Sequence, residues 1–86
     1  MLSICIFSAL GFAQDLYVDI QDGNDSNSGT NTNPFQTIHQ AISVAENGDA
    51  VYIGAGTYSG GYEIDKEQLL ITTWDRPDRS GPIVIE

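Results

Sequence analysis

The sequence predicts a mostly β fold with one amphipathic helix near its beginning. Short β-rich segments are each closed by Gly, Asp, Pro or Ser, as strands of a turn-rich protein are. One stretch instead carries apolar residues at the spacing of a helix. Three similar apolar triplets, at unequal spacings, suggest successive turns of a β-solenoid: Val51-Tyr52-Ile53, Leu69-Leu70-Ile71 and Ile83-Val84-Ile85.

Residues 1–13, "MLSICIFSALGFA", are predicted to be a secretory signal peptide. They are almost wholly apolar, too short to span a bilayer stably, and place Gly11 and Ala13 before a cleavage point at Gln14. No Lys or Arg precedes the apolar run, and the alternative is a buried strand or helix. The segment predicts a secreted or cell-envelope protein with no transmembrane span after cleavage.

The rest of the chain is acidic and contains no cysteine. Twelve Asp and Glu residues against three Lys and Arg give a net charge of −9, which argues against nucleic-acid partners and anionic membranes. Cys5, the one cysteine, lies inside the signal segment, so no disulfide is expected. So small a domain buries little surface, and we expect it to need downstream β coils for stability.

Residues 14–48 are predicted to form a strand, a polar loop and a helix. The strand is Leu16–Ile20, and the polar loop is residues 22–34. The apolar stripe of the helix consists of Phe35, Ile38, Ala41, Ile42 and Ala45. Thr37 is the favoured N-cap, with Gln40 completing a capping box; Asn33-Pro34 is the competing start. Asn47-Gly48 predicts a left-handed stop.

Besides a free linker, which is disfavoured because Pro34-Phe35 fixes its end, the polar loop has two interpretations. In the first, Asn and Asp side chains fold back on the backbone to make consecutive turns, with Gly23 and Gly29 at positive φ. In the second, the loop binds calcium through nearby oxygens: Asp19, Asp22, Asp25 and Asn27. No Glu closes the loop at the distance that a calcium motif requires, so the sequence favours the structural interpretation.

Four further side chains are functional candidates. His39, the one histidine, has no second His or Cys to share a metal and is expected to be exposed on the helix. Asp49 is expected to stabilise a turn rather than to catalyse. Tyr52 and Tyr58 either pack over the interior, which we favour, or form a platform on which sugars stack.

The segment "WDRPDRSG" contains the one tryptophan of the chain and a cluster of charges. Its charges either pair internally, at little gain if exposed, or join Trp74 in binding an acidic sugar. The two arginines that would serve in that role are Arg76 and Arg79.

Residues 49–86 are predicted to form the first β coil or coils. Strand-like stretches are "DAVYIGAGTYSG", "GYEI", "EQLLITTW" and "PIVIE". Glu86 falls inside the last of them, which would leave an open strand edge that invites pairing. We therefore expect further coils after Glu86.

The stretch from Tyr17 to about Tyr58 resembles the N-terminal region of secreted right-handed parallel β-helix proteins of the pectate-lyase-like superfamily, and residues 63–86 match it loosely. The shared elements stand in the same order: Gly29-Thr30, Asn33-Pro34-Phe35, Thr37-Ile38, Ala41-Ile42, Gly48-Asp49 and Gly56-Thr57-Tyr58. The resemblance implies an N-terminal capping helix, laid over the open end of the coils, followed by the first coils of a right-handed parallel β-helix.

What this resemblance implies about function is a carbohydrate-active protein, either a polysaccharide lyase or a hydrolase acting on acidic polysaccharide. The alternative is a non-enzymatic surface or adhesin-like β-helix, because the fold does not fix an activity. In the superfamily the catalytic groups, and the Ca²⁺ of lyases, belong to central coils. Lys66, Arg76 and Arg79 match no such motif, so no catalytic, cofactor-binding or metal-binding residue is predicted in this chain.

Overall fold

The computed structural model describes residues 13–61, 63–64, 66–76 and 81–86. The strands in this part of the chain are β1 (Asp15–Val18), β2 (Ala50–Ile53), β3 (Gly56–Tyr58), β4 (Leu70–Thr73) and β5 (Ile83–Ile85). The helix α1 (Ile38–Val44) lies between β1 and β2. Of the predicted signal peptide, only the last residue, Ala13, falls within the described residues. The expectation of a mostly β chain with one short helix is confirmed.

The strands form two parallel sheets. The first has the order β1-β2-β4, and the second consists of β3 and β5. From β2 onward the chain alternates between the sheets, so each return adds a strand beside an earlier one in the same direction. Parallel neighbours cannot be joined by tight hairpins, and the intervening strand of the other sheet serves as the connection.

The pairing corrects the alignment of the three apolar triplets. Val51 pairs with Ile71, so the β4 partner of Val51-Tyr52-Ile53 begins two residues later than predicted. A shift of two keeps every side chain on its expected face, because strand side chains alternate with period two. The third triplet, Ile83–Ile85, pairs with β3 and belongs to the other sheet. Of the predicted "GYEI" strand, the described residues Gly61, Glu63 and Ile64 form no strand.

The helix begins as the sequence predicts and ends earlier. Thr37 is the N-cap, and its side chain accepts a hydrogen bond from the Gln40 amide, as in a capping box. The helix ends at Val44, with the extended residue Ala45 as its C-cap. Gly48 does have a positive φ of 87°, but it lies in a following turn, closed by the Asp49 amide donating to the Glu46 carbonyl.

The core lies between α1 and the inward faces of both sheets. The helix contributes Ile38, Ala41 and Ile42, and the predicted stripe is therefore buried together with Phe35 and Ala45. From the strands, the buried side chains are Leu16, Val18, Val51, Ile53 and Tyr58. Alternation places the residues between them on the opposite face of the sheet.

Candidate functional site

The outer edge of β1, on the side away from β2, is closed by the polar loop and Phe35. The Tyr17 amide donates to the Gly29 carbonyl at 2.8 Å, and the Phe35 amide donates to the Tyr17 carbonyl at 2.9 Å. The Asp19 amide in turn donates to the Phe35 carbonyl, and Val18 forms a parallel bridge with Phe35. Because these bonds satisfy the backbone groups that a strand edge leaves open, no further strand is needed there.

Asp25 fastens the polar loop to the start of α1. One oxygen of its carboxylate accepts the amides of Gln36 and Thr37, at 2.9 and 3.0 Å, and the other accepts the Thr37 hydroxyl at 2.8 Å. Partial burial would raise the pKa of Asp25, but the hydrogen bonds from Thr37 and Gln36 and the nearby His39 hold that pKa below its ordinary value. The charged carboxylate of Asp25 therefore stabilises the folded state.

Neighbouring polar side chains fold back in the same way, which confirms the structural interpretation of the loop. Asn24 Oδ1 accepts the Ser26 amide, Asn27 Nδ2 donates to the Pro34 carbonyl, and Thr30 Oγ1 accepts the Asn33 amide. No group of three His, Cys, Asp or Glu side chains suited to a metal occurs among the described residues.

The two loop glycines have different roles. Gly29 has a positive φ of 89°, as predicted. Gly23 does not, and that part of the prediction is wrong. Instead, a Cβ at Gly23 would collide with the carbonyl oxygens of Phe35 and Asp19. Gly23 is therefore needed for the close approach of the loop to the chain beside β1.

Asp49 stabilises turns, as the sequence predicts. Its buried carboxylate accepts the Gln14 amide at 2.9 Å and the Glu46 amide at 2.8 Å, and so joins the start of β1 to the end of α1. The second of these bonds holds the chain in its turn just after the helix. His39 lies exposed on the helix, as expected.

Tyr58 is not part of a sugar platform. Its side chain is 2% exposed, and its hydroxyl donates to the Gly54 carbonyl and accepts the Ile20 amide. Burial, followed by the charge of Asp19, raises the pKa of the Tyr58 hydroxyl and keeps it protonated. The interior-packing interpretation is therefore confirmed for Tyr58.

Tyr52 instead lies on the outward face of the first sheet with Tyr17 and Trp74, a set that we call the aromatic strip. Tyr17 and Tyr52 pair in register and stack with ring centroids 5.1 Å apart and planes 17° from parallel. Trp74 tilts against Tyr17 at a centroid distance of 4.8 Å. Sequence reasoning missed Tyr17, although Leu16-Tyr17-Val18 has the same pattern as Val51-Tyr52-Ile53.

Arg76 also contacts Trp74. Its guanidinium carbon lies 4.1 Å from the centroid of the Trp74 ring, within the range of a cation–π contact. The same group pairs with the carboxylate of Asp19 at 3.2 Å, and Asp19 is 2% exposed. Arg76 therefore pairs with a distant residue, whereas the internal-pairing interpretation expects a partner within the segment; Asp78 and Arg79 lie outside the described residues.

At β4 and β5 the fold is open. Ile85 pairs in register with the buried Tyr58, yet its own side chain is 45% exposed. Thr73, in register with the buried Ile53, is also exposed. Within the part of the chain that the structure describes, no backbone hydrogen bond joins the outer edge of either strand to another segment.

Comparisons with known proteins agree with this architecture. A stretch of 60 residues is 38% identical to pectate lyase PEL9 from Emericella nidulans, and it covers 66% of this chain and 14% of that protein. The solved structure of XylC in complex with xylose matches with a TM-score of 0.56 and 30% identity, over 69% of this chain and 10% of that one. XylC is a β-helix protein, and the resemblance to pectate-lyase-like β-helix proteins is confirmed.

Residues 21–71, more than half of the chain, match the family described as "Protein of unknown function (DUF1565)". The chain belongs to that family. It spans only a small part of the length of each relative described above. No helix within the described residues is long and apolar enough to cross a membrane.

Proposed function

We propose that this chain is the N-terminal capping module of a secreted, right-handed parallel β-helix protein that acts on polysaccharide as a lyase or a hydrolase. The observation that carries the proposal is the contrast between the two ends of the strand stack. The outer edge of β1 is closed by hydrogen bonds to the polar loop and Phe35, whereas two inward-pointing side chains at the other end, Thr73 of β4 and Ile85 of β5, are exposed.

The cap consists of the polar loop, Phe35 and α1. A solenoid must cover the apolar end of its stack, and terminal units do so with a polar outer face. Here α1 turns Ile38 and Ile42 toward the core and leaves His39 and Val44 exposed. The closed edge of β1 belongs to the same end, so the loop and the helix together close the backbone and the core.

Further coils would continue from β4 and β5. Both strands are parallel to their predecessors, and each offers a row of backbone groups on one side, which is the arrangement that a following coil requires. The catalytic groups of the protein belong to those later coils in this proposal. Residues 1–13 supply the export signal.

The polysaccharide substrate is inferred from the relatives. One is a pectate lyase, and the other was solved with xylose. Incubating the full-length protein with polygalacturonate and with xylan tests the proposal. A lyase releases unsaturated uronides, a hydrolase releases new reducing ends, and loss of activity in EDTA would support a Ca²⁺ requirement in the later coils.

Binding of a polymer without cleavage would replace the enzyme by a non-enzymatic surface protein. If the protein neither bound nor cleaved any polysaccharide, both forms of the proposal would be contradicted. A heat-denatured sample is the control for adventitious hydrolysis.

A further inference from the structure

The aromatic strip is unusual in its placement. Tyr17 and Tyr52 lie on the outward face of a sheet whose inward face carries the aliphatic core. Trp74 follows directly after β4 and joins them, so three half-buried rings come together where three neighbouring strands pass. The core does not use these rings, since the buried cluster is built from other side chains.

We propose that the aromatic strip binds neutral saccharide chains, which rests on the proposed function and adds a second contact surface to it. The apolar C–H faces of pyranose rings pack well on aromatic rings, and the tyrosine hydroxyls provide polar partners at the rim. Consecutive sugar units along a chain would meet consecutive parts of the strip.

The charges around the strip favour a neutral sugar over a uronic acid. Among the described residues, the cation in contact with Trp74 is Arg76, which is paired with the buried Asp19. Asp15 lies two residues before Tyr17 on the same face of β1, and Asp75 is exposed directly after Trp74. A uronate carboxylate at the strip would therefore meet carboxylates of its own sign, in a chain whose net charge is −9.

The strip is also held in place before any ligand arrives. Arg76 lies over the ring of Trp74, and Tyr17 contacts the same ring. Rings that are already ordered lose little conformational freedom when they bind, which favours affinity.

Affinity electrophoresis of the full-length protein through gels containing xylan, or polygalacturonate in a parallel series, tests the inference. The variants are Trp74→Leu, which removes the indole, and Tyr52→Phe, a matched control that keeps the ring. Trp74→Leu is expected to weaken xylan binding by about tenfold, the effect of losing one aromatic contact. Tyr52→Phe is expected to retain most of the affinity.

Thermal denaturation of each variant checks folding, and if Trp74→Leu lowers the melting temperature strongly, Tyr52→Leu takes its place. A folded variant that lacks the ring but keeps the parent's affinity for xylan would overturn the inference and leave the proposed function intact. Tighter ring-dependent binding to polygalacturonate would overturn the neutral-sugar assignment. If the parent neither binds nor cleaves either polymer, the proposed function fails as well.

Discussion

The two ends of the strand stack differ in how far their inward-pointing side chains are buried, although aliphatic residues point inward at both ends. At the β1 end, side chains pointing inward are almost completely buried, with Val18 at 0% exposure, and the backbone edge is bonded to Gly29 and Phe35. At the β4 and β5 end, Ile85 has the same inward direction and remains 45% exposed. Position in the stack, rather than residue type, decides which side chains are buried.

The difference arises because a long segment of the chain, between β1 and β2, lies at one end of the stack, whereas the later connections are shorter. Between β1 and β2 it forms the polar loop and α1, which turn polar groups outward and bring an apolar stripe inward. Among the described residues, the connections after β2 contain no helix. The closed end is therefore specified locally, whereas the open end depends on what packs against it.

The largest effect is expected from placing a charge on the buried face of α1. Ile42→Asp would bury an unpaired carboxylate at a site that is 4% exposed, at a cost of several kcal/mol, on the order of the whole stability of a small domain. We expect the variant to unfold or aggregate, as measured by soluble yield and melting temperature.

Val44→Asp is the matched control, because Val44 lies on the same helix and is 43% exposed. It should change stability by no more than about 0.5 kcal/mol. If Ile42→Asp kept the parent's melting temperature and solubility, the assignment of α1 to the closed end would be wrong.

The next effect tests the contact between the polar loop and the chain beside β1. Gly23→Ala places a methyl group against the Phe35 and Asp19 carbonyls, and the displaced backbone should cost about 3 kcal/mol. Chemical denaturation measures this loss. Gly48→Ala is the control: it has no neighbour to strike and costs about 1 kcal/mol through its left-handed conformation alone. Equal losses for the two variants would contradict the close approach.

These two glycines also show what the sequence could predict and what it could not. Thr37 with Gln40 predicted the helix start, and the apolar stripe predicted the buried face, because both signals lie within a few residues. The left-handed conformation of Gly48 and the turn-stabilising role of Asp49 could be predicted for the same reason, because both depend on nearby residues. Gly23 was misread because its role depends on Phe35, which approaches only in the folded chain.

Long-range pairings in the candidate site were hidden for the same reason. Arg76 meets Asp19 across the stack, and no local pattern marks that partnership. The predicted register of β4 is wrong by two residues, because the partners of Val51–Ile53 are Ile71, Thr72 and Thr73, which are less apolar than the Leu69-Leu70-Ile71 triplet. The similar patterns around Tyr17 and Tyr52 could have predicted that these two tyrosines belong together. Trp74 lies in the loop after β4, and no such pattern marks its contact with Tyr17.

A smaller, pH-dependent effect is expected at Asp25. Asp25→Asn removes a charged acceptor of three hydrogen bonds and should cost about 2 kcal/mol at neutral pH. The folded-state pKa of Asp25 is lowered, so its contribution is complete above the unfolded pKa of about 4 and disappears as the pH falls through the folded value.

Melting temperatures of the parent and of Asp25→Asn should therefore converge in acid. The difference between the two proteins is the quantity to follow, since it isolates this carboxylate from the others in the chain. A gap that stayed constant from neutral pH to well below pH 4 would contradict the proposed clamp.

The smallest effect is expected at the open end. Ile85→Asp in the 86-residue chain should change the free energy of unfolding by about 0.5 kcal/mol or less, because the side chain is already 45% exposed. In a longer protein with further coils, the same substitution should be strongly destabilising. Equal, large losses in both proteins would show that Ile85 is buried without any following coil.

Amide hydrogen exchange in the 86-residue chain tests the central contrast most directly. The Tyr17 and Asp19 amides donate to the closing segments of β1. Leu70 and Trp74 donate toward β2, so alternation directs the Ile71 and Thr73 amides to the open edge. The account predicts slow exchange at Tyr17 and Asp19 and fast exchange at Ile71 and Thr73. Equally fast exchange at all four amides would contradict it, because the β1 edge would then be as open as that of β4.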